Sequence, residues 1–419
     1  MVQIMSTLAE DVTRKSICIA PPTVLDVALL TGGVDRPYSY GLAMALVSKS
    51  VRLDVIGSNA VDSPEMHTTP NLRFLNLWTT QRANATVADQ LLRTLRHYAS
   101  LVRYAAAAEP GVFHILWNSK VQLFDRTLLM LYYKVLGKKI ALTAHNVNKE
   151  KRDSNDSLLN RLTLKIQYRL CDHIFVHTQK MKTELVQDFA VAERSVTVIR
   201  HPINNAFPDT DLTPAEAKRQ LGIRDDEKTI LFFGKIKPYK GVEHLLAAFR
   251  QLMVSDGNYR LIIAGEVQKG NQTYLDELQR TVTRELDRGK IILKTHFIPD
   301  EETELYLKAA DVLVLPYNEI FQSGVLFLAY SFGLPVVATD VGSFREEIVE
   351  GTTGYLCRPA DPVDLAMTIE TYFASDLYRN LGTRRQEIKD YADVHHSWDA
   401  VAELTRNTYA ELLGRRQPA

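Results

Sequence analysis

The chain has 419 residues, more than one hydrophobic core usually holds, and at roughly 150 residues per domain this length predicts two domains. Hydrophobic residues make up 46% and charged residues 24%, which excludes a disordered or fibrous protein. The formal net charge is zero, but residues 1–200 carry 25 Lys and Arg against 17 Asp and Glu, so the two halves are +8 and −8.

Short apolar runs alternate with helical patterns along the first half, which is typical of parallel strands covered by helices. The predicted strands there are 27–31, 52–58, 72–77, 111–117, 139–145, 173–178 and 196–201. A segment rich in Pro, Asn and Asp follows Arg200 and predicts an interdomain linker. A helix is expected to begin after it, near Thr213 and Pro214.

The same alternation restarts in the second half. Its predicted strands are 229–234, 259–265, 291–297, 312–317, 335–339 and 354–359. The sequence therefore predicts an α/β protein with two doubly wound, Rossmann-like domains and a cleft between them. In such sheets ligands lie beyond the carboxyl ends of the strands, so the segments just after strands are the candidates for chemistry.

Two such segments lie in the first half. Gly32 and Gly33 follow a strand directly, and a glycine pair lets the backbone approach a ligand closely, although many tight turns need the same residues. His145 and Asn146 end a later strand on the side of the predicted cleft. A histidine there is as consistent with a structural role as with a role at the site.

In the second half, a strand ends at Gly234 and a helix begins near Gly241, with Lys235, Lys237 and Lys240 flanking the turn. Positive side chains beside a helix N-terminus suit a diphosphate, with lysine acting as a point charge. A solvated basic loop is the alternative.

Further along, a buried apolar strand leads into Glu319, Gln322, Ser323 and Gly324, followed by an apolar helix. The first-turn N–H groups of a helix are unpaired and point outward, which is a common way to hold an anionic ligand. The stretch is therefore a second candidate for phosphate binding.

Three segments together, GKIKPYKGVEHLLAAF, FIPDEETELYLKAADVLVLPY and GLPVVATDVGSFREEIVEGTTGYLCRP, resemble the nucleotide-binding domain of the family 4 retaining glycosyltransferases, which have the GT-B fold. The glycine pair, TAHN and VIRHPINNAF are similar to that family's first domain and linker. HHSWDAVAELTRNTYAELLG resembles the terminal helix that crosses back to the first domain. The resemblance thus implies an acceptor-binding domain at 1–203, a nucleotide-sugar-binding domain at 204–394 and a crossing helix at 395–419.

The resemblance also implies transfer of a sugar from a nucleotide diphosphate donor of the UDP or GDP type, with retention at the anomeric carbon and without a metal or other cofactor. Lys240 would bind the diphosphate, and Lys235 stands where the family usually has arginine. Gly33 would face the phosphates from the first domain. His145 would line the donor sugar, and His145 and Glu319 are the candidate catalytic residues.

The chain departs from the family pattern between the strand and the helix. The family has a Glu, a Gly-Phe-Gly turn and a second Glu on the helix that binds the ribose. Here Gln322, Ser323 and Gly324 replace the turn, Glu319 sits one residue too far from Gly333, and Leu328 takes the place of the second glutamate. The resemblance therefore implies a divergent branch of the family. The identity of the family's sugar donor cannot be assigned to this chain.

The expected acceptor is a glycan or a lipid-linked molecule of a cell-surface polysaccharide or glycolipid. Residues 91–108 carry Arg93, Arg96 and Arg103 among leucines, a pattern that suits either an anionic membrane surface or packing against the sheet. Two alternatives remain: a GT-B phosphorylase or epimerase, and a sugar-nucleotide-binding protein with impaired catalysis.

Other patterns limit the location and the partners. Cys18, Cys171 and Cys357 lie far apart without metal-ligand spacing, and the N-terminus lacks the apolar core of a signal peptide. We therefore expect a cytoplasmic protein, with peripheral contact to the inner face of the membrane as an option. A metal site is not expected, since the DTD at 209–211 falls in the linker, and no motif for nucleic acid is found.

Overall fold

The computed structural model describes residues 24–78, 86–148, 156–203, 207–268, 270–283, 286 and 288–414. The first domain is built on seven strands in the order β3-β2-β1-β4-β5-β6-β7, and all neighbouring strands run parallel. These strands are β1 Leu25–Leu30, β2 Val51–Gly57, β3 Leu72–Asn76, β4 Val112–Ile115, β5 Lys139–Thr143, β6 His173–Val176 and β7 Val196–Val198.

Helices cover both faces of this sheet because successive side chains of each buried strand point to opposite faces. Along β1, for example, Val27 and Leu29 belong to one apolar core, whereas Ala28 and Leu30 belong to another. The helices are α1 Arg36–Ser48, α2 Pro64–Thr68, α3 Val87–Ala107, α4 Gln122–Phe124, a π turn Asp125–Leu129, α5 Met130–Val135, α6 Leu158–Leu170 and α7 Gln179–Phe189.

The second domain repeats the plan with a six-stranded parallel sheet in the order β10-β9-β8-β11-β12-β13. Its strands are β8 Lys228–Phe233, β9 Tyr259–Ala264, β10 Ile291–Lys294, β11 Val312–Leu315, β12 Val336–Thr339 and β13 Gly354–Cys357. Its helices are α8 Pro214–Gln220, α9 Val242–Ser255, α10 Gln272–Thr281, α11 Asp300–Ala309, α12 Gly324–Ser331, α13 Phe344–Glu347, α14 Pro362–Ala374, α15 Asp376–Arg379 and α16 Leu381–His395.

The last helix, α17 Trp398–Leu412, leaves the second domain and packs on α1 of the first. Gly41 makes this contact possible, because a Cβ on it would lie 2.2 Å from the Trp398 ring. The Tyr409 hydroxyl lies within hydrogen-bond distance of His114 Nδ1, and Lys49 forms an ion pair with Asp399 at 2.6 Å. The chain therefore links the two domains twice, through the linker and through α17.

The predicted α/β class and the two Rossmann-like domains are confirmed, and each predicted strand is present. Most predicted strands extend too far at the carboxyl end, by one to three residues. The predicted helix after the linker begins at Pro214, where Thr213 and Glu216 form a reciprocal capping box. Among the described residues, no helix is both long enough and apolar enough to cross a membrane.

Candidate active site

The carboxyl ends of the two sheets border a cavity of about 560 Å³ between the domains. In each sheet the strand order reverses beside the first strand, between β1 and β4 and between β8 and β11. Ligands of doubly wound sheets bind at this reversal. We call the space the cleft cavity; its lining includes Asp35, Tyr38, Trp117, His145, Asn146, His201, Lys235, Lys240, Tyr317, Ile320, Gln322, Ser323, Gly324, Leu328 and Trp398.

The loop after β8 forms one wall of the cleft cavity. It makes a short 3₁₀ turn at Pro238–Lys240, and Gly241 then adopts a left-handed conformation with φ of 63° before α9 begins. A Cβ on Gly241 would lie 2.0 Å from the Pro316 carbonyl oxygen, so only glycine fits. The loops after β8 and β11 are thereby held against each other.

Lys240 is directed into this wall and is buried, with 7% of its surface exposed. Its Nζ lies 3.0 Å from the Tyr317 hydroxyl and 4.8 Å from the centre of the Tyr317 ring. Burying an ammonium group is costly unless anionic or polar groups surround it. Lys235 also lines the cavity but is exposed, with its Nζ 4.0 Å from a Glu266 carboxylate oxygen.

Gly234 leaves room for the Lys240 ammonium group. It has φ of 104°, and a Cβ on it would lie 3.4 Å from Lys240 Nζ. We expect Gly234→Ala to weaken nucleotide binding by roughly tenfold and to cost about 1–2 kcal/mol of stability, because alanine disfavours this backbone conformation and its methyl would lie 3.3 Å from Val325 Cγ2 at the start of α12. Calorimetric titration with a nucleotide diphosphate and thermal unfolding measure the two effects.

Gly222→Ala is the matched control for this prediction. Gly222 also has a positive φ, 69°, but a Cβ there meets nothing within 4 Å, and the residue does not line the cleft cavity. The Gly222→Ala variant should therefore be less stable than the wild type and should bind the nucleotide with the same affinity. Equal affinity in the Gly234→Ala variant and the wild type would contradict the role assigned to Gly234.

The loop after β11 forms the neighbouring wall and is held by backbone contacts. Asn318 N–H donates to the Tyr239 carbonyl at 2.8 Å, and the Thr339 hydroxyl donates to the Tyr317 carbonyl at 2.6 Å. Gly342 allows the backbone to pass close to the Ile320 carbonyl, since a Cβ on it would lie 2.2 Å from that oxygen. The loop delivers Gln322 and Ser323 to the cavity at the start of α12.

Ser323 does not cap α12 with its own side chain, and its hydroxyl oxygen lies 3.5 Å from the Tyr317 hydroxyl. The Gln322 amide nitrogen is buried without a hydrogen-bond partner among the described residues. Polar groups at this helix start therefore remain available to a ligand in the cleft cavity.

Glu319 and Leu328 occupy different environments. Glu319 is exposed and is not among the residues that line the cleft cavity. Leu328 is 95% buried and lines the cavity, so the wall is apolar where the family resemblance places a glutamate on the ribose. The catalytic role of Glu319 stays a prediction, and its position gives that role no support.

His145 lies on the first-domain side of the cleft cavity. Trp117 stacks on its ring with a centroid distance of 4.1 Å and an interplanar angle of 5°, and Tyr38 meets it edge-on at 4.7 Å. Burial is the main cause that holds the pKa of His145 well below its usual value, and the neighbouring histidines add to this effect. The ring is therefore neutral at pH 7.

Gly32 and Gly33 lie elsewhere than the cleft cavity. Both have a positive φ, and they border a separate cavity of about 30 Å³ together with Trp78, His97 and Asp125. A Cβ on Gly32 would lie 2.8 Å from the Trp117 Cβ, so packing inside the first domain already requires glycine. The predicted contact of these glycines with phosphates stays a prediction.

Several aromatic side chains line the cleft cavity that were not among the predicted site residues: Tyr38, Trp117, Tyr317 and Trp398. Trp117 and Tyr317 end predicted strands next to the strand-order reversal, and that position was the available signal. Tyr38 and Trp398 lie on α1 and α17, and the expected crossing of the terminal helix to the first domain did not specify which of its residues reach the cavity.

The Asp-Thr-Asp segment in the linker has partners within the protein. Asp209 forms ion pairs with Lys308 at 2.9 Å and with Lys389 at 2.8 Å. Within the described ranges, no group of three or more His, Cys, Asp or Glu side chains is placed to hold a metal ion.

Two family models match the chain, one per domain. The model described as Glycosyltransferase Family 4 matches residues 31–207, and the model described as Glycosyl transferases group 1 matches residues 214–393. Both models describe glycosyltransferases, and each matches somewhat less than half of this chain. Its sequence is 27% identical over 279 residues to a D-inositol 3-phosphate glycosyltransferase of Corynebacterium aurimucosum, covering 65% of each chain. In the first relatives that the chain matches, the matched stretch spans 56% to 65% of the relative's length.

Solved structures support the GT-B fold. A sucrose-phosphate synthase from Thermosynechococcus elongatus aligns with a TM-score of 0.72 at 19% identity, covering 94% of this chain and 100% of that one. HepE of Anabaena, solved in complex with UDP, aligns with a TM-score of 0.71 at 16% identity, covering 93% and 100%. At these identities the likeness concerns the fold alone.

Proposed function

We propose that this GT-B chain transfers a sugar from a nucleotide diphosphate donor to a glycan or lipid-linked acceptor. The observation that carries the proposal is the position of Lys240, a buried cation that faces the cleft cavity at the strand-order reversal of the second sheet. A diphosphate carries the negative charge that an ammonium group at this position attracts.

The proposed donor is of the UDP or GDP type. A structural neighbour, HepE, was solved with UDP, and the cleft cavity of this chain offers Lys240, Lys235 and the start of α12 to a diphosphate. Leu328 is expected to pack against the ribose instead of binding its hydroxyls, which reduces the number of polar contacts to the nucleoside.

The proposed reaction retains the anomeric configuration and needs no metal. The bond between the anomeric carbon and the diphosphate oxygen breaks, and its electron pair leaves with the diphosphate toward Lys240, Lys235 and the first N–H groups of α12. The departing phosphate oxygen accepts the proton of the acceptor hydroxyl, whose oxygen then bonds to the anomeric carbon on the same face. A protein nucleophile is not required, which agrees with the exposed position of Glu319.

Turnover of a donor panel tests the proposal. The chain is incubated with UDP-glucose, UDP-N-acetylglucosamine and GDP-mannose, with and without a lipid and glycan extract of the cells that make it, and the released nucleotide diphosphate is measured. We expect nucleotide diphosphate to be released only when the extract is present, and we expect the release to continue in EDTA. Binding without release would favour a sugar-nucleotide-binding protein with impaired catalysis.

A lipid-linked acceptor is supported by one surface of the first domain, which we call the apolar-basic face. It is formed by α3, the π turn Asp125–Leu129 with α5, and α6. The Tyr132 hydroxyl on α5 donates to the Val102 carbonyl of α3 at 3.2 Å, and Arg126 on the π turn donates to Asn160 of α6 at 2.8 Å. Its exposed apolar side chains are Val87, Leu91, Leu92, Leu95, Leu128, Leu131, Val135, Leu158, Leu159 and Leu162.

The two halves of α3 differ in their exposure to solvent. His97, Leu101 and Ala105 are buried against the sheet, whereas Leu91 and Leu95 are 62% and 58% exposed. Arg96 and Arg103 on the same helix are exposed, as are Arg161, Lys165 and Arg169 on α6. Exposed apolar side chains that are surrounded by Arg and Lys suit an anionic lipid surface. We propose that this face makes peripheral contact with the membrane.

The double variant Leu91→Ser with Leu95→Ser should bind vesicles of 30% phosphatidylglycerol in phosphatidylcholine at least about tenfold more weakly than the wild type, because each leucine contributes roughly 1 kcal/mol or more when lipid buries it. Co-sedimentation measures the affinity. Val254→Ser, which alters a 90% exposed apolar side chain on α9 of the second domain, is the control and should have no effect. Wild-type chain that remains in the supernatant with these vesicles would contradict the membrane proposal.

A further inference from the structure

Three groups at the carboxyl ends of neighbouring strands form a hydrogen-bonded chain that ends at His145, which lines the cleft cavity. His145 follows β5, His177 follows β6 and Ile199 follows β7. His177 Nδ1 lies 3.1 Å from the Ile199 carbonyl oxygen, and His177 Nε2 lies 3.0 Å from His145 Nδ1. The remaining nitrogen, His145 Nε2, is buried and has no hydrogen-bond partner among the described residues.

The positions of the protons follow from this order. A carbonyl oxygen only accepts hydrogen bonds, so His177 Nδ1 must carry a proton. Burial lowers the pKa of His177 to about 4, so the ring is neutral at pH 7 and its Nε2 carries a lone pair. His145 Nδ1 must then donate its proton to that lone pair. Since His145 is also neutral, its Nε2 carries a lone pair as well.

The surroundings hold the His145 ring in place. Trp117 covers one face and the Tyr38 ring meets it edge-on, so the ring stays where His145 lines the cavity. A lone pair at that point attracts a group that donates a hydrogen bond and repels a phosphate oxygen. Of the parts of a nucleotide sugar, the hydroxyls and the N–H groups of the base have this chemistry and the diphosphate does not.

We propose that His177, through the Ile199 carbonyl, is a positioning residue that fixes His145 in the Nδ1–H tautomer, so that His145 Nε2 accepts a hydrogen bond from a hydroxyl of the sugar in the cleft. This assignment of the contact group rests on the proposed function, whereas the tautomer does not. A donor that lacks the facing hydroxyl leaves the buried nitrogen without a partner and should be used roughly ten- to a hundredfold less well.

The first test needs no ligand. The chain is labelled with ¹⁵N-histidine, its imidazole nitrogens are observed by long-range ¹H–¹⁵N correlation between pH 6 and 8, and the signals are assigned with His145→Gln and His177→Gln. Both rings are expected as neutral Nδ1–H tautomers throughout. A His145 ring with its proton on Nε2, or a charged ring at pH 7, would overturn the proposal.

The second test separates positioning from folding. His177→Phe removes the acceptor for His145 Nδ1–H, so the Nε2–H form of His145 should appear in the spectrum and turnover should fall roughly ten- to a hundredfold. His177→Gln offers a carbonyl oxygen to the same proton and should restore both. UDP affinity should be unchanged in both variants, because the diphosphate is held at Lys240.

Failure of the proposed function and failure of the tautomer proposal give different results. If the wild type turns over no donor, the proposed function fails, and the spectrum of the wild type still decides the tautomer. An unchanged His145 tautomer in His177→Phe would show that His177 does not set it.

Discussion

Lys240→Met is expected to lower the donor-dependent turnover of the chain by roughly a hundredfold. Methionine has a similar length and is apolar, so the buried position next to Tyr317 and Phe232 should tolerate it. What is lost is a positive charge at the place where the departing diphosphate gains negative charge. Removing one such stabilising group typically costs about 10² to 10³ in rate.

Lys237→Met is the matched control for this prediction. It lies in the same loop, with its Nζ 5.4 Å from the Tyr239 ring centre, and it does not line the cleft cavity. Its turnover should stay within a few-fold of the wild type. Equal losses in the two variants would mean that general basic charge matters and that the cavity position of Lys240 does not.

The second large effect concerns stability at acid pH. His114, His177 and His396 are almost fully buried, and burial lowers their pKa values to about 3, 4 and 4. Below pH 6.5 the unfolded chain takes up protons that the folded chain refuses. The stability from these groups is complete above about pH 6.5 and is lost as the pH falls toward 4.

We expect the three histidines together to lower the free energy of unfolding by about 5 kcal/mol between pH 7 and pH 5, since each contributes roughly 1–2 kcal/mol. Such a loss is a large part of the stability of an ordinary domain. Thermal unfolding midpoints at pH 5, 6 and 7 measure the effect. A midpoint that does not fall in this range would contradict it.

Glu347, whose Oε2 lies 3.4 Å from His396 Nε2, is expected to have the opposite effect. Burial raises the pKa of its carboxyl to about 7, so the folded chain binds a proton that the unfolded chain releases, and this stabilises the fold as the pH falls from about 7 to 4.5. Glu347→Gln removes that offset. The loss of stability between pH 7 and pH 5 should therefore be steeper in the variant than in the wild type.

Much of the fold could be predicted from the sequence, because buried parallel strands are short apolar runs that few other elements resemble. The carboxyl ends of the strands could not be predicted. Gly234 and Pro316 continue the apolar runs in the sequence, yet each lies outside its strand, where the chain turns into a loop at the cleft. The hydrophobic pattern does not distinguish a last strand residue from a first loop residue that is also buried.

The candidate site was predictable where it depends on single segments. Lys235, Lys240, Gln322, Ser323, Gly324 and His145 all line the cleft cavity, because each lies just after a strand. Glu319 does not, since the loop after β11 turns it toward solvent. Individual contacts between distant segments, such as Trp398 with Gly41 or His177 with His145, depend on how elements pack, and the sequence indicated only that the terminal helix crosses to the first domain.

The central claim is that the cleft cavity is a donor site that recognises a diphosphate, and calorimetric titration with UDP, GDP and ADP and with the corresponding monophosphates tests it most directly. One diphosphate should bind, and its monophosphate should bind at least about tenfold more weakly, a difference of roughly 1.4 kcal/mol. A chain that binds none of these nucleotides, or binds the monophosphate equally well, would contradict the account.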